Sequence, residues 1–343
     1  MIRCNRLQSR KSKTKLRKRH LQHMRQLFWI ALFLPLSLWS VPAAAQSYAY
    51  VPTHKSNSVS VINTSTRSVI AVIPVGVQPL QAAISPDGAF AYVTDSGWFY
   101  PNNDVSVIST ATNSVVATIP VGRFPVGVAF TPNGAFAYVA NQNSNSVSVI
   151  NTAAKAVVAT INVGVNPWGV AVTPNGSFAY VSNQVSNSVS VIATATNSVI
   201  ATIPVGSNPT GLAMAPSGAF ACVANYSSNT VSVISTATNT VVSTIAVGNS
   251  PIAVTITPNG NFAYVPNSVD DTVSVINTTT HAVIATVQAG SIPRGVAVSP
   301  DGAFAYVSNR ISNDVTVIST ATNTVAATIS GVALLPEGVA IKP

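Results

Sequence analysis

The sequence predicts an all-β protein: a seven-bladed β-propeller of four-stranded antiparallel blades, closed by pairing the C-terminal strand with the N-terminal blade. Three observations predict it. The marker Ala-Tyr-Val recurs at Tyr50, Tyr92, Tyr138, Tyr180, Tyr264 and Tyr306, with Cys222 in the fifth place, at intervals of 42, 46, 42, 42, 42 and 42 residues. Each period holds four short runs of Val, Ile, Ala and aromatic residues separated by turn signals, the pattern of one propeller blade. The ends are complementary: the repeats open on a second strand, SYAYV, and close on a lone first strand, GVAIKP.

Residues 1–45 stand apart from the repeats. They hold ten of the 17 Lys and Arg and none of the 8 acids; the seven remaining cations against eight acids leave −1 of the formal +9 for the rest of the chain. A 13-residue apolar run, LFWIALFLPLSLW at 27–39, follows the basic stretch and leads to Ala43 and Ala45 in an A-x-A arrangement. This is the pattern of an export signal cut after Ala45, so the propeller is expected over 46–343, in the periplasm or at the cell surface. Met24 heads a more ordinary signal than Met1 does. Thirteen residues fall short of the roughly 20 that span a bilayer, so no membrane span is expected in the mature chain.

One complete repeat, 167–206, reads PWGVAVTPNGSFAYVSNQVSNSVSVIATATNSVIATIPVG. GVAVT is the innermost strand. PNG or PDG then turns the chain, because Gly tolerates positive φ and Asn or Asp caps its own turn. FAYVS and SVSVIAT are the second and third strands, and TATN turns into VIATIPV, the outermost. Neighbouring blades cover both faces of a blade, so small and β-branched residues are expected on both sides of each strand. Pro74, Pro120 and Pro204 fall in the outermost strand, where an open edge tolerates a missing donor.

The AYVxN elements (137–141, 179–183, 305–309), the preceding PxGVAxxPxG and the following SNSVSVI resemble the YVTN family of β-propeller repeat proteins. The resemblance covers 47–343 and implies an exported or surface propeller, mostly without an assigned activity. Thr53 and Asp95 depart from it where Asn is usual, and Cys222 where Tyr is.

Antiparallel connectivity sorts the loops onto two rims. PDG and TATN turns share one; second-to-third-strand loops and blade links share the other. The second rim receives ten charged residues: Lys55, Asp95, Asp104, Arg123, Asp270, Asp271, Arg294, Arg310, Asp314 and Glu337. It also carries the one insertion, TDSGWFYPNND, which gathers Trp98, Phe99 and Tyr100 into a candidate binding patch, since exposed aromatics offer large rigid contact area. The residue after each link proline is expected to border the central channel: Leu80, Val126, Trp168, Thr210, Ile252, Arg294 and Glu337. Arg294 and Glu337, in successive repeats, are placed to pair.

Chemistry-bearing residues are sparse outside 1–45. His54 and His281 fall on opposite rims, which argues against a shared metal site. No haem-attachment motif or Ser-His-acid set can be assembled, so no cofactor and no catalytic residue is expected. Cys222, inside an apolar strand, reads as a buried, inert thiol. Dispersed cations without a basic stripe argue against nucleic acid. The expectation is therefore a monomeric, non-catalytic binding or structural module, meeting an envelope protein or glycan through the second rim. The alternative, suggested by similarity to lyase and lactonase propellers, is a small-ligand receptor or enzyme at the channel mouth around Trp168, Arg294 and Glu337.

Overall fold

The computed structural model describes residues 47–97 and 103–342. It contains seven four-stranded antiparallel sheets, each meandering from an innermost to an outermost strand. Blade 4 is representative, with strands Pro167–Val172, Phe178–Asn183, Ser188–Ala193 and Ser198–Pro204. Blades 2, 3, 5 and 7 repeat it over 79–120, 125–162, 209–246 and 293–329; blade 6 spans 255–288, its innermost strand shortened to Thr255–Ile256.

Blade 1 is built from both ends. Strands Tyr48–Thr53, Ser58–Asn63 and Ser68–Pro74 supply three positions, and Ala340–Lys342 supplies the innermost. Tyr48 pairs with Lys342, Ala49 with Ile341 and Tyr50 with Ala340, and a further bridge joins Thr53 to Pro336. Successive innermost strands touch all the way round, 340–342 returning to Pro79–Ile84 of blade 2. Closure removes the two end edges that an open stack would leave.

Each apolar core lies between blades. Tyr138, Val147, Val149 and Ile161 of blade 3 pack on Val170, Ala179, Val181 and Ile192 of blade 4. Burying a side chain of this size contributes roughly 1.5–3 kcal/mol, and the pattern recurs at every junction. Second and third strands are covered on both faces, as expected. The outermost strand is not: its residues alternate between covered and exposed, leaving Ile70, Val72, Val158, Ile200 and Val242 open to solvent. No later blade lies outside it to cover that surface.

The two repeat markers hold each other across the junctions. The Tyr50 hydroxyl donates to Asn113 Oδ1 at 2.9 Å, Tyr138 to Asn197 at 3.0 Å, Tyr180 to Asn239 at 2.7 Å and Tyr264 to Asn323 at 2.7 Å. Each acceptor is the last residue of a TATN-type turn and has φ between 50° and 53°. Asn adopts this left-handed region more readily than most side chains. A second device sits under the opposite rim: the Asn of AYVxN donates to the hydroxyls that open the third strand, as Asn183 does to Ser188 and Ser190 at 3.2 and 2.9 Å.

Candidate functional site at the channel mouth

The channel wall is made of backbone more than of side chains. Gly127, Gly169, Gly211 and Gly295 line a cavity of about 120 Å³ together with Gln81, Ala253, Trp168 and Ile252. A Cβ at Gly127 would lie 2.5 Å from the Trp168 carbonyl oxygen, and one at Gly211 would lie 2.7 Å from Ala253 Cα. Glycine is what lets the inner strands converge. The residue after the link proline was expected to border the channel; only Trp168 and Ile252 of those seven do so, and the wall falls mainly to the residues that follow. This is below the roughly 300–1,000 Å³ of small-molecule pockets, so a ligand must sit largely at the mouth.

The mouth is polar on one side and apolar on the other. Trp168 packs on Leu80, Phe124 and Val126 of blades 2 and 3. Across from it, at the seam between blades 7 and 1, four groups converge. The Glu337 carboxylate, 7% exposed, lies 3.2 Å from Arg294 Nε and 2.7 Å from Arg310 Nε. Its backbone is anchored as firmly: the Glu337 N–H donates to the Pro52 carbonyl at 2.9 Å, and its own carbonyl accepts from the Ser308 hydroxyl. Both arginines keep part of their surface open, 21% and 30%. Pairing through Nε leaves their Nη donors for another acceptor.

His54 completes the group from the short turn His54–Ser56 of blade 1. Its N–H donates to the Leu335 carbonyl at 2.9 Å. Burial holds the imidazole below its ordinary pKa; Glu337 pulls it back up, Arg310 and Arg294 push it down, and a bond with the Pro79 backbone raises it. It is therefore neutral near pH 7, and its Nδ1 is buried with no hydrogen-bond partner among the described residues. A neutral imidazole whose unpaired ring nitrogen is covered in this structure lies beside two guanidiniums and a fixed carboxylate; once uncovered it can accept a proton next to donors that would steady a developing oxyanion.

The pairing expected of Arg294 and Glu337 is present. Arg310 and His54 were assigned to this rim by sequence but not to the same point on it. They occupy the same repeat column, the position after AYVxN, filled elsewhere by Ser96, Gln142, Gln184, Tyr226 and Ser268. Reading that column would have singled them out as its two ionisable members with basic side chains. Gln142 and Gln184 of the same column bond to each other at 2.7 Å. Trp98, Phe99 and Tyr100 lie outside the described residues. The Cys222 thiol is buried and pushed up to about 12, which removes it from nucleophilic chemistry at neutral pH.

No curated protein matches the chain. Among solved structures it is similar to the hydrazine synthase of Kuenenia stuttgartiensis, at 25% identity over 79% of this chain and 92% of that one, with a TM-score of 0.72. It shares its fold with a putative 6-phosphogluconolactonase from Bacteroides uniformis, at 16% identity over 87% and 100% of the two chains and a TM-score of 0.75. It also shares it with the dihydro-heme d1 dehydrogenase NirN, at 14% identity over 85% and 74% and a TM-score of 0.65. Residues 19–161, 159–244 and 236–342 match the family described as Lactonase, 7-bladed beta-propeller. That match corrects the expectation of a non-catalytic envelope module, which rested on the scarcity of ionisable residues. The few there are had been counted by rim and not by where ring closure brings them. The chain belongs to the lactonase family of seven-bladed β-propellers.

Proposed function

We propose that the channel mouth at the seam of blades 7 and 1 binds a small cyclic ester and opens it by hydrolysis. The observation that carries this reading is the convergence of His54, Arg294, Arg310 and Glu337 opposite an apolar wall at Trp168. The apolar wall takes the ring. The guanidiniums receive the carbonyl oxygen as it gains charge, and Glu337 holds them in place. As the ligand enters, the His54 ring turns its unpaired, buried Nδ1 toward the attacking water and accepts a proton as the water oxygen attacks the carbonyl carbon. The acyl-to-ring-oxygen bond then breaks, and the leaving alkoxide takes that proton, so the product is a hydroxy acid.

The AYVxN repeats favour a YVTN-type member of the family, and the leader pattern of 1–45 favours action outside the cytoplasm. The test is hydrolysis of a lactone panel, γ-butyrolactone, δ-valerolactone and δ-gluconolactone, followed by proton release. H54N is expected to lower kcat by about 10²-fold, the usual contribution of a general base. R310M is expected to lower kcat as well, because it removes a donor to the oxygen as that oxygen gains charge. Binding without turnover would reduce the site to a receptor; neither binding nor turnover in the whole panel would overturn the reading.

A further inference from the structure

On the opposite rim, the junction between blades 2 and 3 departs from the others in two places at once. Lys155 stands where the latched junctions have Asn, and Phe130 stands where the other inner strands carry Ile84, Val172, Met214, Ile256, Val298 and Ile341. Both changes face Tyr92. Among the described residues this tyrosine makes no hydrogen bond across its junction, whereas Tyr50, Tyr138, Tyr180 and Tyr264 all do. Its ring meets Phe130 edge-on, with centroids 4.8 Å apart, and Lys155 Nζ lies 5.5 Å from the centroid of Phe90.

The result is a cleft of about 510 Å³ lined by Phe90, Tyr92, Phe130, Pro132, Lys155 and Asp87. That volume falls within the range of small-molecule sites, roughly 300–1,000 Å³. We propose that this cleft is a second ligand site, separate from the channel mouth, that takes a planar aromatic monocarboxylate. Three aromatic rings supply walls for a flat apolar body. The ammonium of Lys155 and the phenol of Tyr92 supply donors for one carboxylate. Asp87 is committed to its own turn, accepting from the Ser85 hydroxyl at 2.5 Å and the Ala89 N–H at 2.9 Å. Its negative charge at the edge disfavours a second acid on the ligand.

The junction of blades 7 and 1 is an internal control. It also has a cation in the turn, Arg67, 4.9 Å from the centroid of Phe304. There, however, Arg67 donates to the Ala326 carbonyl at 3.4 Å, the Tyr306 hydroxyl donates to the Thr64 carbonyl at 3.3 Å, and the inner strand offers Ile341 in place of a phenylalanine. There the tyrosine hydroxyl is already engaged and the third aromatic wall is missing.

The test is calorimetric titration of the purified protein with benzoate, and with benzamide as its uncharged counterpart. Benzoate is expected to saturate at or below about 1 mM, a modest affinity suited to one ring and one ion pair, and benzamide to bind more weakly. K155N, which restores the turn residue of the latched junctions, and F130V should each weaken benzoate, K155N by at least about tenfold. R310M should leave it unchanged. Equal affinity in wild type and K155N, loss of binding in R310M, or no saturable binding at all would overturn the proposal. None of these results bears on lactone turnover at the mouth, so the two readings fail separately.

Discussion

Blades 2 and 7 are near copies that solve one problem differently. Both place an Asp at the start of the third strand, Asp104 and Asp314, opposite the last residue of AYVx(N/D). In blade 7 that residue is Asn309, whose Nδ2 donates to Asp314 at 2.6 Å and to Thr316 at 2.8 Å. In blade 2 it is Asp95, wholly buried, which has no amide to donate and instead accepts from the Ser106 hydroxyl at 2.7 Å. Burial and the facing Asp104 push its carboxyl up to about 8. One atom's difference, an amide nitrogen for an oxygen, thus turns a donor–acceptor contact into a facing carboxyl pair that favours holding a proton.

The largest effect is expected from imposing blade 2's solution on blade 7. N309D removes two donors and sets a second acid against Asp314 in a buried place. It should cost about 2–4 kcal/mol at pH 8, the scale of an unsatisfied buried polar group with added charge, read as a lower urea midpoint. The reverse change, D95N, should stabilise by about 1–3 kcal/mol at pH 8, read as a higher urea midpoint.

The pH dependence follows with its sign. Asp95 loses its proton near 4 when unfolded and near 8 when folded, so between those values the folded state binds more protons. Wild-type stability should therefore fall as pH rises from about 4 to about 8, by up to about 1.4 kcal/mol per unit from this group. D95N should flatten the slope. A wild-type slope identical to that of D95N would dissolve the comparison.

The latches extend the contrast to the other rim at smaller magnitude. Y138F and Y180F should each cost about 1 kcal/mol, the net worth of one hydrogen bond, whereas Y92F should cost close to nothing. K155N should add a few tenths of a kcal/mol by completing a fifth Tyr–Asn latch, read as a small rise in Tm alongside the loss of benzoate binding.

Much of this was legible beforehand because a propeller writes its architecture periodically. The period placed every strand, and the matching ends announced how the ring closes. The identity of the latch partners was not legible: Tyr138 and Asn197 lie 59 positions apart in successive repeats, and only the side-by-side packing of blades joins them. The same holds for the site. Arg294 and Glu337 were picked out because they share a column. Arg310 belongs to a different column, and His54 lies at the other end of the repeats.

By itself, then, the sequence determined the number of blades, their strand order and which residue types line each rim, since local turn chemistry and hydrophobic pattern repeat in every unit. Tertiary structure alone decided that His54 meets Glu337, Arg294 and Arg310, and that Phe130 and Lys155 meet Tyr92. Those meetings depend on ring closure and on the angle between neighbouring blades, which are set by interactions between residues distant in the chain and leave no mark in any single repeat.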